Sequence, residues 1–185
     1  MNNEKSTSIP TKIAYYITGF ADGEGSFNVS FRKRDNFLLG WKISPVFNIN
    51  QKEREILALI KHHLGCGTIF FRKDNVWVYE VDNIQSIQQI IIPFFNKFGF
   101  LSIKKKKDFV RFKKIVEIKQ KKKSLTYNDI ESILHLLTEV ESKNSRKYND
   151  CEIKERSSFF WKKNQKKIEQ LNKLSLESSE TTRQT

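Results

Sequence analysis

The stretch Ala14-Tyr15-Tyr16-Ile17-Thr18-Gly19-Phe20-Ala21-Asp22-Gly23-Glu24-Gly25-Ser26 reads as a helix, yet it breaks the ordinary rules for one. Pro10 and Thr11 suit its start, because proline is tolerated in a first turn and threonine caps. Ile13, Tyr16, Ile17 and Phe20 recur at helical spacing, so that side is expected to be buried. Gly19 and Gly23 share another face and leave backbone bare there, each costing roughly 1 kcal/mol against alanine. Such a face calls for something that packs closely against it.

The end of the helix is stranger. Asp22 and Glu24 occupy the last turn, where free carbonyls carry the negative end of the macrodipole and acids are disfavoured. Carboxylates gathered with free carbonyls make a hard-oxygen site suited to Mg²⁺, which takes one or two carboxylates and keeps several waters. On the residues alone, solvated surface acids beside a turn remain the alternative. Gly25 fits a helix stop, and Ser26 opens an alternating strand.

The window Ile17-Thr18-Gly19-Phe20-Ala21-Asp22-Gly23-Glu24-Gly25 resembles, position by position, the signature helix of the LAGLIDADG homing endonucleases. Thr18 replaces the usual alanine and Glu24 the commoner aspartate. The resemblance implies that Glu24 is the catalytic metal ligand and that Gly23 lends its carbonyl. It also implies that Gly19, Gly23 and Phe20 lie where two such helices cross, and that Asp22 supports the helix ends.

Composition agrees with a nucleic-acid partner. A formal net charge of +13 over 185 residues calls for a polyanion, and the length suits one domain with its own core. Cys66 and Cys151 match no metal-ligand spacing, which speaks against a zinc or disulfide framework. No signal peptide, targeting signal or membrane-spanning run is evident, so an intracellular, soluble protein is expected. Its compartment would be a mitochondrion or chloroplast if organelle-encoded, and otherwise the cytoplasm.

Residues 26–32 alternate strictly, with Phe27, Val29 and Phe31 inward and Ser26, Asn28, Ser30 and Arg32 outward. A charged turn containing Arg34 leads to a second strand near 40–50, with Ile43, Phe47 and Ile49 inward and Lys42, Ser44, Asn48 and Asn50 outward. Pro45 there suggests an edge or a bulge. An amphipathic helix over 52–64 is built on Ile56, Leu57, Leu59, Ile60 and Leu64, and strands near 68–72 and 75–81 follow it. A helix over 84–97 is interrupted at Pro93, implying a kink or two pieces. This order is that of the family's αββαββα fold, an α+β fold with a four-stranded antiparallel DNA-binding sheet, here with C-terminal helices added. The family register would turn Thr68, Phe70, Arg72, Asn75, Trp77 and Tyr79 toward DNA, together with Ser26, Asn28, Ser30, Arg32, Arg34, Lys42, Ser44 and Asn48.

Residues 103–115 interleave lysines with Phe109, Phe112 and Ile115, and the four consecutive lysines Lys104 to Lys107 are not expected to pack. The resemblance places one lysine beside the scissile phosphates: Lys104 aligns best and Lys106 next. It likewise puts Gln51 where the family keeps a residue that orients water, the alternative being a plain exposed amide. Residues 126–140 form a further amphipathic helix. The endonuclease domain is thus expected over 9–140, and a polar connector with a basic helix and tail over 141–185, the end from 177 being disordered.

A single signature helix cannot supply both acids of the family's chemistry, so the resemblance implies a homodimer on a long pseudo-palindromic double-stranded DNA target. Cleavage would be Mg²⁺-dependent phosphodiester hydrolysis, with Mn²⁺ an acceptable substitute, and would promote mobility of the host intron. An intron RNA maturase, or a non-catalytic DNA-binding protein of the same fold, is the alternative.

Overall fold

The structure, a computed structural model, describes residues 9–120, 124–138 and 147–181, with side chains as far as residue 173. Its chain divides into two compact units, Met1–Asn28 with Val46–Phe109, and Val29–Pro45 with Val110–Thr185.

Helix α1 (Thr11–Glu24) buries Ala14, Ile17, Thr18 and Ala21. This line corrects the expected stripe: Tyr16 is 47% exposed and Phe20 only half-buried, their rings stacked on each other. Ala14-Ile17-Thr18-Ala21 has the same helical spacing, but its small side chains hide it in the sequence. The helix passes into strand β1 (Gly25–Lys33) without a loop. Gly25 makes that possible: its N–H donates to the Ala21 carbonyl, and a Cβ there would stand 2.5 Å from the same oxygen.

Strands β1, β2 (Trp41–Gln51), β3 (Thr68–Phe71) and β4 (Trp77–Val81) form a four-stranded antiparallel sheet in the order β1-β2-β4-β3. β4 pairs with β2 only from Phe47 to Gln51. Pro45 therefore lies in a stretch of β2 with no β4 partner, so its missing N–H breaks no β2–β4 ladder bond. Phe47 and Ile49 of β2 stand opposite Val81 and Tyr79, while Asn48 and Asn50 stand opposite Glu80 and Val78.

That register corrects the expected outward face of β4. Tyr79 is fully buried, its hydroxyl donating to the Cys66 carbonyl at 3.1 Å, and Trp77 points to the same side. Burial drives the Tyr79 phenol pKa upward, and the neighbouring Cys66 adds to the shift. Asn75 is not in a strand; it turns the β3–β4 hairpin with a φ of 60°, a conformation asparagine tolerates. All but one of the five residues of β4 are apolar or aromatic, so alternation alone could not choose its faces.

Helix α2 (Arg54–Leu64) buries Leu57, Ile60 and Leu64 and ends on left-handed Gly65. Leu59, expected inside, is exposed. A short α3 (Ile84–Ser86), a π-helical turn (Ile87–Ile91) and α4 (Ile92–Phe98) follow as one continuous run. Pro93 has no N–H to offer the preceding turn. A wide π-helical turn stands just before it, where the sequence suggests a kink or two pieces. Phe27, Phe47, Phe95, Phe100 and Phe109 pack ring against ring in the core of the first unit.

Helices α5 (Ile103–Gln120), α6 (Tyr127–Thr138) and α7 (Asp150–Thr181) complete the chain. The second unit has its own core, in which Phe31, Trp41 and Ile43 meet Ile115, Ile130, Ile133, Ile153 and Ile168. The Trp41 indole donates to the Ile153 carbonyl, so α7 is tied to β2 at its first turn. α7 begins at Asp150, where the sequence suggests a helix only from Ser158, on a reciprocal cap between Asn149 and Glu152. It also runs through residues 177–181, expected to be disordered, because adding residues to an established helix is far easier than starting one. The expected helix end at 139–140, the connector over 141–146 and residues 182–185 lie outside the described residues.

Candidate active site and nucleic-acid face

Glu24 closes α1 with an exposed side chain, and among the described residues its carboxylate accepts no hydrogen bond. Two residues earlier, Asp22 is fully engaged: it accepts from the Leu101 and Ser102 N–H groups at 3.1 and 2.9 Å and from the Ser102 hydroxyl. Burial alone would raise its pKa. Those hydrogen bonds, with the nearby Lys105 charge, outweigh that and hold the carboxyl below the usual carboxylate range.

Ser102 in turn caps α5, its hydroxyl accepting from the Lys105 N–H at 3.2 Å. Asp22 thereby fixes where α5 begins, and α5 delivers a lysine to the end of α1. That lysine is Lys105, whose ammonium donates to the Gly25 carbonyl beside Glu24. Burial lowers its pKa, while Asp108, Asp22 and Glu24 pull it back up. Lys104 and Lys106, the sequence candidates, are exposed. Composition alone does not single out Lys105 from the run Lys104 to Lys107. Its signal was nevertheless present, because Lys105, Phe109 and Phe112 fall at i, i+4 and i+7 on one helical face.

Gln51, at the end of β2, turns its amide oxygen onto the Lys52 N–H at 2.7 Å. Around Gly19 and Gly23 there is open space: a Cβ at either position would meet nothing within 4 Å. The helix face they share with Tyr16 and Phe20 is thus uncovered among the described residues. Among the described residues no three His, Cys, Asp or Glu side chains cluster to hold a metal. One chain therefore offers a hard cation the Glu24 carboxylate and the carbonyls at the end of α1.

The open side of the sheet is polar. In the first unit, Ser26 and Asn28 alternate with Gly25 and Phe27, and Phe27 meets core-facing Phe47 at 5.1 Å. The register puts Asn48, Asn50, Thr68, Phe70, Val78 and Glu80 on one face, of which Val78 and Glu80 were missed from sequence. The side-chain oxygens of Asn48 and Asn50 are buried without hydrogen-bond partners. Arg72 is exposed and paired with Asp74.

In the second unit, Arg32, Arg34 and Lys42 are exposed and Ser30 and Ser44 half-buried, the Ser30 hydroxyl donating to the Ser44 carbonyl at 3.4 Å. Amides, hydroxyls and cations are the groups that contact base edges and phosphates. Among the described residues no helix is long and apolar enough to cross a membrane.

Comparison with known proteins gives a consistent result. The sequence model of a family described as LAGLIDADG endonuclease matches residues 17–116. Probable intron-encoded endonuclease 2 of Neurospora crassa is 37% identical over 123 residues, covering 64% of this chain and 27% of that protein. Homing endonuclease I-ApeII of Aeropyrum pernix is 28% identical over 103 residues, 55% of this chain and 60% of the relative. The chain thus spans less than two thirds of either curated relative. Among solved structures, the archaeal intron-encoded homing endonuclease I-Vdi141I complexed with DNA superposes with a TM-score of 0.69 and 33% identity. That match covers 80% of this chain and 95% of the other.

Proposed function

This chain belongs to the LAGLIDADG endonuclease family, and from that membership we propose that it is a site-specific double-strand DNA endonuclease. It works as a homodimer on a long pseudo-palindromic target and promotes the mobility of its host intron, acting in whichever compartment holds that intron. The observation that carries this reading is Glu24: among the described residues it is an exposed carboxylate that accepts no hydrogen bond, it interacts with the charge of Lys105, and it closes a helix whose glycine face is uncovered.

Two copies crossing at Gly19, Gly23 and Phe20 bring two Glu24 carboxylates together. The donor set fits a hard divalent cation, with Glu24 and the Gly23 carbonyl of each copy as ligands, and Mg²⁺ is the proposed ion, with Mn²⁺ an acceptable substitute. When bound, such an ion supplies Lewis-acid stabilisation of the phosphate and a nucleophilic water at neutral pH.

The protein's own groups do the rest. Lys105 takes the phosphate-facing role for which Lys104, and then Lys106, aligned in the sequence: its ammonium offsets charge that develops on the phosphate. Gln51 exchanges its contact with the Lys52 N–H for one to a water and orients it. Asp22 keeps Ser102, and so Lys105, in register. Ser26, Asn28, Asn48, Thr68 and Phe70, with Ser30, Arg32, Arg34, Lys42 and Ser44, meet bases and phosphates. Arg72 adds a cation at the end of β3.

Incubating the protein with a library of long duplexes in Mg²⁺ tests the reading, with Glu24→Gln and Ca²⁺ as controls. Double-strand cleavage at a near-palindromic site by the wild type alone is expected. A pool that is bound and never cut would leave only a DNA-binding protein.

A further inference from the structure

The turn between β1 and β2, residues 34–40, is held from outside as well as by its own bonds. Within it the Arg34 N–H donates to the Gly40 carbonyl at 2.9 Å, the Phe37 N–H to Arg34 at 3.1 Å and the Gly40 N–H to Phe37 at 2.8 Å. Helix α7 then grips the same backbone. The Arg156 guanidinium donates through Nε to the Gly40 carbonyl at 3.0 Å and through its other arm to the Asp35 carboxylate. About two helical turns further on, the Asn164 amide donates to the Leu38 carbonyl at 3.0 Å.

The Arg156 fork is itself fixed, lying 5.7 Å from the ring centroid of Trp41 and 4.8 Å from that of Phe160. Helix and turn approach so closely that a side chain at position 40 has no room. Gly40 has a φ of +72°, and a Cβ there would stand 2.7 Å from the Phe160 ring and 3.0 Å from Arg156 Nε. With the carbonyls taken up by α7, the side chains of Arg34, Asn36 and Phe37 are left exposed. The joint thus fixes the frame from which they are presented.

We propose that Arg156 and Asn164 are positioning residues for target recognition: they hold the β1–β2 turn in one conformation before DNA arrives, and so sharpen discrimination at the base pairs it meets. Neither residue needs to touch DNA. A loose turn adapts to a wrong base at little cost, whereas a fixed one leaves its groups unpaired there. The proposal rests on the DNA endonuclease reading. It places part of the target selectivity in α7, outside the family-matched segment 17–116.

The test compares wild type with Arg156→Lys, Asn164→Ala and, as a control, Lys166→Gln at an exposed position of the same helix. Lysine keeps the charge of Arg156 but has neither its fork nor its flat face. Amide hydrogen exchange on the free protein reads the turn directly. Faster exchange at Arg34, Phe37 and Gly40 is expected in the first two variants, with the Ile115 and Ile133 amides in the core of the second unit unchanged. Cleavage of the recovered target and its single-base variants reads the consequence. The same two variants should raise KM on the intact target roughly tenfold and leave kcat at saturating DNA unchanged. They should also lose discrimination at one block of base pairs in each half-site, placed symmetrically about the dyad.

Unchanged exchange in the turn, or exchange that rises throughout the second unit, overturns the proposal. So does a faster turn with discrimination kept or lost evenly across the target, or a matching loss in Lys166→Gln. Each of these results leaves the endonuclease reading intact. If the wild type cuts no duplex at all, that reading fails and the recognition role of Arg156 fails with it.

Discussion

Lys105 and Glu24 occupy the same corner by different means: one is exposed at a helix end, the other half-buried against a backbone carbonyl. Replacing Lys105 by Met should lower kcat by about 10²–10³-fold with little change in DNA affinity. Single-turnover cleavage at saturating DNA checks this, and a pure loss of affinity would contradict it.

Asp22 makes a different contribution. Its folded-state pKa lies below the ordinary value of 3.8, so the stability it adds is fully present above that value and is lost as pH falls through the folded pKa. Urea titrations from neutral pH down through the acid range should show a steeper loss in the wild type than in Asp22→Asn. The supporting position of Asp22 between helix ends was legible in the sequence because the spacing of the signature helix is distinctive. The lysine was not, since four adjacent lysines conceal which one shares a face with Phe109 and Phe112.

At the level of elements, glycines mark where backbone meets something close. Gly67 has a φ of +80°, and a Cβ there would lie 2.7 Å from both the Glu80 carbonyl and the Tyr79 ring. Gly67→Ala should therefore destabilise the first unit by roughly 1–3 kcal/mol, measured by thermal or chemical unfolding. An unchanged melting temperature would contradict the packing described for β3 and β4. The same pair of strands shows the limit of reading faces from pattern. Where Phe27, Val29 and Phe31 alternate with polar residues, the sequence placed β1 correctly. Where Trp77, Val78, Tyr79 and Val81 are all apolar, the face is set by the β2 partner and by the room Gly67 leaves for the Tyr79 ring. That information is tertiary. The first turn of α7 was readable as an Asn149-x-x-Glu152 cap, but its link to Trp41 spans 112 positions and has no local trace.

For the whole molecule, the central claim is that one chain carries half of an active site. Among the described residues, Gly19 and Gly23 face open space and Glu24 has no second carboxylate free to join it, because Asp22 is committed to Leu101 and Ser102. A crossing of two α1 helices accounts for both facts at once. The most direct test joins two full chains in one polypeptide, one half wild type and the other carrying Glu24→Gln, and assays it on the recovered target beside a tethered wild-type pair. The shared-site account predicts that the mixed pair binds normally but fails to make double-strand breaks, yielding uncut or nicked DNA. Double-strand cleavage by the mixed pair at the rate of the wild-type pair would contradict it, because one Glu24 would then suffice.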